Sequence, residues 1–253
     1  IIVADAPPFE YSSEIASHVN FVSRPGANKA DCEDQYFAGS FLDRSFIGLD
    51  KRDDSVLHSI LNTPSTLAIV TTNGHRGKQV FCQPNNALAL LSVKDVINSL
   101  RLPSTKALVT TCQVVLLGHS SKENQTFGER WFIGVDYPSW PKVLFDNNEG
   151  AKFNYLRPLL LSMPKDELAI AGHALSMLTF HDENIFDGSD GSPTMSIEFG
   201  LKRQSTWSKL YPRVNPVAIA LVISADRKKV LLANMKKRQK NFYSCVAGFV
   251  EPC

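Results

Sequence analysis

The feature that most narrows the folds open to this chain is a set of short apolar runs, each no longer than a strand and each closed by turn or breaker residues. Residues 66–72, 78–82, 113–117 and 131–135 all have this form. Runs of that length between turn signals read as β-strands, so an all-helical bundle is excluded and a sheet is required. Asn73-Gly74 offers a tight turn, from which 78–82 pairs back on 66–72 as a hairpin. Residues 107–111 read as a further strand, and Gly118 closes the run 113–117.

Helical spacing separates these runs. Val56, Leu57, Ile60 and Leu61 lie on one face of 53–61, which Asn62-Thr63-Pro64 stops. Ser92 is a fitting N-cap for 93–100, with Pro103 beyond it. From Pro164 a longer helix runs to about His181, with Pro164 in the first helical position. Asp166 and Glu167 sit at the positive end of its dipole and a charged His181 at the negative end. Leu168, Ala171, Leu175 and Leu178 form its apolar face. Residues 217–223 and 230–233 then read as two successive strands of the buried type, joined by the charged turn Asp226-Arg227-Lys228-Lys229.

Composition excludes several classes. Of 253 residues, 43% are hydrophobic and 21% charged, an ordinary globular balance. A formal charge of +2 exerts no long-range pull on nucleic acid or membrane. Seven of the fourteen residues from Arg227 to Lys240 are basic, which reads as a solvated turn and loop before it reads as an anion-steering patch. No apolar run approaches the roughly 20 residues of a membrane span. The start, Ile1-Ile2-Val3-Ala4-Asp5, has neither initiator Met nor signal-peptide pattern, and the chain is expected to be a fragment at both ends. Cys32, Cys82, Cys112, Cys245 and Cys253 are too scattered for a disulfide framework. They read as reduced thiols in an intracellular protein, with cytoplasm, peroxisome and mitochondrion not distinguished.

Three blocks in order carry a family likeness. The first is Phe153-Asn154-Tyr155-Leu156-Arg157, followed by the helix that ends at His181. The second is Tyr211-Pro212-Arg213-Val214-Asn215-Pro216-Val217. The third is Ala247-Gly248-Phe249-Val250-Glu251-Pro252. Together they resemble the NADH pyrophosphatase branch of the Nudix hydrolases, with Gly248 as the first glycine of the Nudix box. Weaker echoes (Phe41-Leu42-Asp43-Arg44, Arg52-Asp53-Asp54) extend the likeness to about 41–253.

The resemblance implies an α+β chain. It consists of a Nudix-like mixed domain over 41–182, a degenerate zinc-ribbon-like insert over 183–210, and over 211–253 the beginning of a C-terminal Nudix α/β/α sandwich, while residues 1–40, polar and without sustained periodicity, read as a loose arm. It implies cleavage of the diphosphate of NADH or NAD, and of NAD-capped RNA, to nicotinamide mononucleotide and AMP. Mg²⁺ or Mn²⁺ would be held by the box glutamates, and the protein would be a homodimer with no membrane contact. Family correspondence assigns substrate contacts to Arg157, Glu198 and Tyr211, and a metal contact to the backbone carbonyl of Ala247. Phe249 reads as core. The box glutamates would fall beyond Cys253, so residues 1–253 are expected to be inactive by themselves. The reading from another class is a non-catalytic dinucleotide- or partner-binding module that dimerises. Without the helix that covers them in the family, the strands from 217 to 250 are expected to expose apolar side chains.

The insert departs from the family pattern. Asp187, Asp190, Ser205 and Ser208 stand where the ribbon has its four cysteines. Two carboxylates and two protonated hydroxyls suit zinc poorly, and a hard-cation site at Asp187 and Asp190 is the weaker alternative. The expectation is a metal-free pair of loops with solvent-facing aspartates, the first place for a protease to cut.

Overall fold

The computed structural model describes residues 42–44, 49–234 and 243–250, together with the backbone of residues 2–5. From the N-terminus its elements are β1 (Ile2–Asp5), β2 (Leu42–Asp43), α1 (Asp54–Asn62), β3 (Thr66–Gly74), β4 (Gly77–Cys82) and β5 (Leu90–Ser92). Next come α2 (Val93–Leu100), α3 (Thr105–Thr111), β6 (Gln113–Ser120), β7 (Arg130–Asp136), α4 (Lys142–Asp146), β8 (Lys152–Asn154) and α5 (Lys165–Glu183). The chain continues through β9 (Met195–Ile197), β10 (Lys202–Gln204), β11 (Lys209–Leu210), β12 (Val217–Ala220), β13 (Val222–Ile223), β14 (Lys229–Asn234), β15 (Tyr243–Ser244) and β16 (Val246–Phe249). The chain divides into two units, Asn28–Pro212 on one side and Ile1–Ala27 with Arg213–Cys253 on the other.

The larger unit is built on a mixed sheet in the order β2-β6-β7-β3-β4-β8, with β5 also paired to β3. Only β3 and β7 are parallel among these pairs. Alternation along the strands feeds two cores. Ala68 and Val70, Leu116, and Ile133 face one side, where Leu57, Leu61, Val96, Leu108 and Leu144 of α1 to α4 cover them. Ile69, Val115, Leu117 and Phe132 face the other, against Leu168, Ile170, Ala171, Ala174 and Leu178 of α5. The sheet is thus buried on both faces, which is why its strands read as unbroken apolar runs.

Four details differ from the sequence reading. Residues 107–111 belong to helix α3 rather than to a strand. Ser104 Oγ caps it by accepting from Ala107 N at 3.3 Å, and Leu108 and Cys112 are buried one helical turn apart. The hairpin forms, but Gly74 stays in register opposite Gly77, so His75-Arg76 makes the turn. A Cβ on Gly74 would lie 2.6 Å from Tyr155 Oη, and it is Gly77, at φ +110°, that takes the left-handed backbone. Pro164 caps α5 from outside the helix instead of opening it. His181 is buried, and desolvation lowers its pKa to about 4, so it carries no charge to offer the dipole.

The cysteines at 82 and 112 are buried thiols, and burial raises them to about 11 and about 12; Cys32 and Cys253 lie outside the described residues. Among the described residues, no helix is long and apolar enough to cross a membrane.

In the smaller unit β1 pairs with β14, β14 also with β13 and β15, and β12 with β16. Ile2–Asp5 is therefore strand where a loose arm is expected. Val217, Ile219, Val222, Ile223 and Val246 are all exposed. Phe249, expected in a core, is 69% exposed. Lys236, Lys237, Arg238 and Lys240 of the basic stretch lie outside the described residues.

Candidate functional site

The segment after α5 folds into a small antiparallel sheet, β9-β10-β11. The turn between its first two strands is left-handed over three consecutive residues: Glu198 at φ 51°, Phe199 at φ 61° and Gly200 at φ 80°. Each non-glycine residue held there costs about 1–2 kcal/mol. The surroundings impose it. Phe199 is buried in the core under α1 to α4, and the Gly200 carbonyl accepts from His181 Nε2 at 2.7 Å. A Cβ on Gly200 would lie 2.6 Å from the Val114 carbonyl oxygen. Strain over-determined in this way holds a side chain where the chain would not place it unaided.

The side chain so placed is Glu198. Its Oε2 accepts from Lys202 Nζ at 2.7 Å, and Lys209 Nζ stands 3.9 Å from Oε1. The hydrogen bond from Lys202 leads the causes that hold its carboxyl below the usual range. Lys202 Nζ also lies 5.2 Å from the centroid of the Tyr211 ring, within cation–π range. Glu198 and Tyr211 are thus joined through Lys202, which the sequence reading did not single out. The ammonium suits phosphate oxygens, the half-exposed ring suits base stacking, and the carboxylate suits ribose hydroxyls.

Arg157 is exposed at the head of a short 3-10 turn, Arg157–Leu159, and among the described residues no contact links it to Glu198 or Tyr211. Ala247 and Gly248 lie on β16, in the other unit, opposite Ile219 and Ala218.

A second cluster gathers at the positions that the resemblance aligns with the ribbon cysteines. Asp187 is only 6% exposed and does not face solvent, contrary to expectation. Its Oδ1 accepts from Ser189 N at 2.9 Å and Ser189 Oγ at 2.7 Å. Its Oδ2 accepts from Ser205 Oγ at 2.8 Å and also from Ser208 Oγ. Asp190 is exposed and accepts from Ser192 N. Three of the four positions therefore converge on one carboxylate, whose pKa these donors hold well below the usual range, Ser208 first. Beside it Arg203 is buried. It donates from Nε to Thr194 Oγ1 at 2.6 Å, from Nη2 to the Thr194 carbonyl at 2.8 Å and from Nη1 to His181 Nδ1 at 3.0 Å, which ties the small sheet to α5.

The donor sets present do not fit the metals of the family. Zinc wants four nitrogen or thiolate ligands, and Mg²⁺ an octahedron of oxygens including carboxylates. Among the described residues no three His, Cys, Asp or Glu side chains gather as a metal group would require.

No family model matches the chain. It is 29% identical to the human NAD-capped RNA hydrolase NUDT12 over 251 residues, covering 88% of this chain and 53% of that protein. It is 34% identical over 106 residues to the NAD-capped RNA hydrolase NudC of Pseudomonas syringae pv. tomato, covering 41% of this chain and 37% of that protein. These relatives support the resemblance to the NADH pyrophosphatase branch of the Nudix hydrolases. A shorter, stronger match is to Nudix hydrolase 19, chloroplastic, of Arabidopsis thaliana, at 42% identity over 91 residues, 34% of this chain and 21% of that protein. The chain spans about half the length of NUDT12 and a smaller share of the other two Nudix proteins.

Proposed function

We propose that the protein binds an NAD(H)-type dinucleotide at the surface made by Glu198, Lys202 and Tyr211, and that the reaction served by this binding is cleavage of the dinucleotide's diphosphate. The observation that carries the reading is the Lys202 ammonium held between Glu198 and the Tyr211 ring. Two residues that the family motif assigns to substrate are linked by a cation able to meet phosphate. That NUDT12 and NudC are NAD-capped RNA hydrolases supports the same ligand class. On this reading Arg157 is a further phosphate contact, and the Ala247 carbonyl belongs to a Mg²⁺ or Mn²⁺ site. The Asp187 cluster replaces a ribbon's zinc, the smaller unit belongs to a Nudix sandwich, and the protein works as a homodimer.

Calorimetry on the 253-residue chain tests this. NADH should bind more tightly than AMP or nicotinamide mononucleotide alone. NADH affinity no better than that of AMP overturns the reading.

A further inference from the structure

The end of α5 meets the small sheet through two buried side chains, His181 and Arg203. His181 Nε2 lies 2.7 Å from the Gly200 carbonyl, which can only accept, so that nitrogen carries the ring's proton. Nδ1 is then a bare lone pair, and it accepts from Arg203 Nη1 at 3.0 Å. Arg203 is itself held in place, with Nε and Nη2 committed to the Thr194 hydroxyl and carbonyl at 2.6 and 2.8 Å. The Phe180 ring packs against the imidazole with 5.3 Å between centroids. The charges facing the ring are Arg203, Asp182 and Lys78, and burial, the largest influence, keeps it neutral above about pH 4. One neutral tautomer therefore satisfies both neighbours, whereas a second proton would turn an N–H on the guanidinium.

Both ends of this contact bear on the candidate site. Gly200 closes the left-handed turn that Glu198 opens, so the ring fixes the far end of the turn while buried Phe199 fixes its middle. Arg203 follows Lys202 on β10, and side chains alternate along a strand, so an inward Arg203 turns Lys202 outward to Glu198.

We infer that His181 and Arg203 are positioning residues for the dinucleotide surface: the Nε2–H tautomer of His181, selected by Arg203, holds the Gly200 carbonyl and so sets the aim of the Glu198 carboxylate. The inference rests on the dinucleotide reading for what that carboxylate meets, a ribose hydroxyl. Two substitutions separate the two bonds of the ring. A glutamine amide reaches as far as Nε2 and can donate to Gly200. An asparagine is one carbon shorter, so it can accept from Arg203 in place of Nδ1 but leaves the Gly200 carbonyl free.

The test compares His181→Asn with His181→Gln in the 253-residue chain, by NADH titration and by NMR. Nitrogen spectra of the wild-type ring should show Nε2 protonated and Nδ1 bare. His181→Asn should weaken NADH at least about ten-fold, the usual worth of a hydrogen bond to a charged group, while His181→Gln stays within about two-fold of wild type. In a Glu198→Ala background His181→Asn should cost nothing further, because a residue that acts through Glu198 is not additive with it. His181→Phe, which fills the space of the ring and donates nothing, serves the same comparison if His181→Asn does not fold. Wild-type NADH affinity in His181→Asn, an equal loss in His181→Gln, or the same loss with and without Glu198 overturns the inference. A wild-type ring protonated on Nδ1 does so too. If the wild-type chain binds no NADH, the dinucleotide reading falls and the backbone decides the positioning claim. Amide-to-Hα couplings of Glu198 and Phe199 should then leave their left-handed values in His181→Asn, and values unchanged from wild type overturn it.

Discussion

Ser205 Oγ donates a 2.8 Å hydrogen bond to Asp187 Oδ2, joining two segments 18 residues apart. With Ser208 and Ser189 also donating, one carboxylate holds the two turns together. Asp187→Ala removes the common acceptor. Limited proteolysis of the variant should cut first between residues 187 and 209, where the wild-type chain resists. The acid dependence has a definite sign. The folded pKa is lowered, so the contribution is complete above the ordinary aspartate value of about 4 and is lost as pH falls through the lower folded value. Equal cutting rates in wild type and variant would show that the knot holds nothing.

Lys78 lies buried between two carboxylates, 2.8 Å from Asp136 Oδ2 and 2.7 Å from Asp182 Oδ2. Asp136 is itself buried and accepts from Thr71 Oγ1. Lys78→Met leaves that carboxylate buried without its cation, and urea unfolding should show a loss of about 3–5 kcal/mol. Adding Asp136→Asn should recover part of it. A single variant within about 0.5 kcal/mol of wild type, the range of an ordinary surface substitution, contradicts this.

His173 and His181 are both lowered to about 4, in each case first by burial. Their unfolded value lies near 6.5. The unfolded chain therefore takes up protons that the folded chain refuses. Stability is complete above about pH 6.5 and falls as pH drops toward 4, by about 2 kcal/mol per histidine at pH 5. Urea midpoints across that window check the slope, and His181→Gln should remove one share of it. A flat profile from pH 7 to 5 would contradict the burial of both rings.

What the sequence made legible was the part governed by local pattern. The strand at 66–72 and the helix capped by Ser92 stand where turn signals and caps put them. The helix at Thr105–Thr111 was hidden because a seven-residue element shows a single buried side chain, Leu108, too little to display a period. The turn lies at His75-Arg76 rather than Asn73-Gly74, and the glycine at 74 serves instead the close approach of Tyr155, distant in sequence. In the candidate site, Glu198 and Tyr211 are the residues that the motif nominates. Lys202 was not, because its meeting with both depends on a left-handed turn at Phe199, where a phenylalanine gives no local sign of such backbone. Asp187 was misplaced for the same reason: hydroxyls converging from Ser189, Ser205 and Ser208 are a fact of tertiary structure.

The most direct test of the central claim is the NADH affinity of Tyr211→Ala, measured by titration with the wild-type chain alongside. The ring is 56% exposed, so its loss should leave the urea midpoint unchanged. If Glu198, Lys202 and Tyr211 form the dinucleotide surface, affinity falls about ten-fold, the usual worth of one stacked base. Wild-type affinity for NADH in that variant would contradict the account.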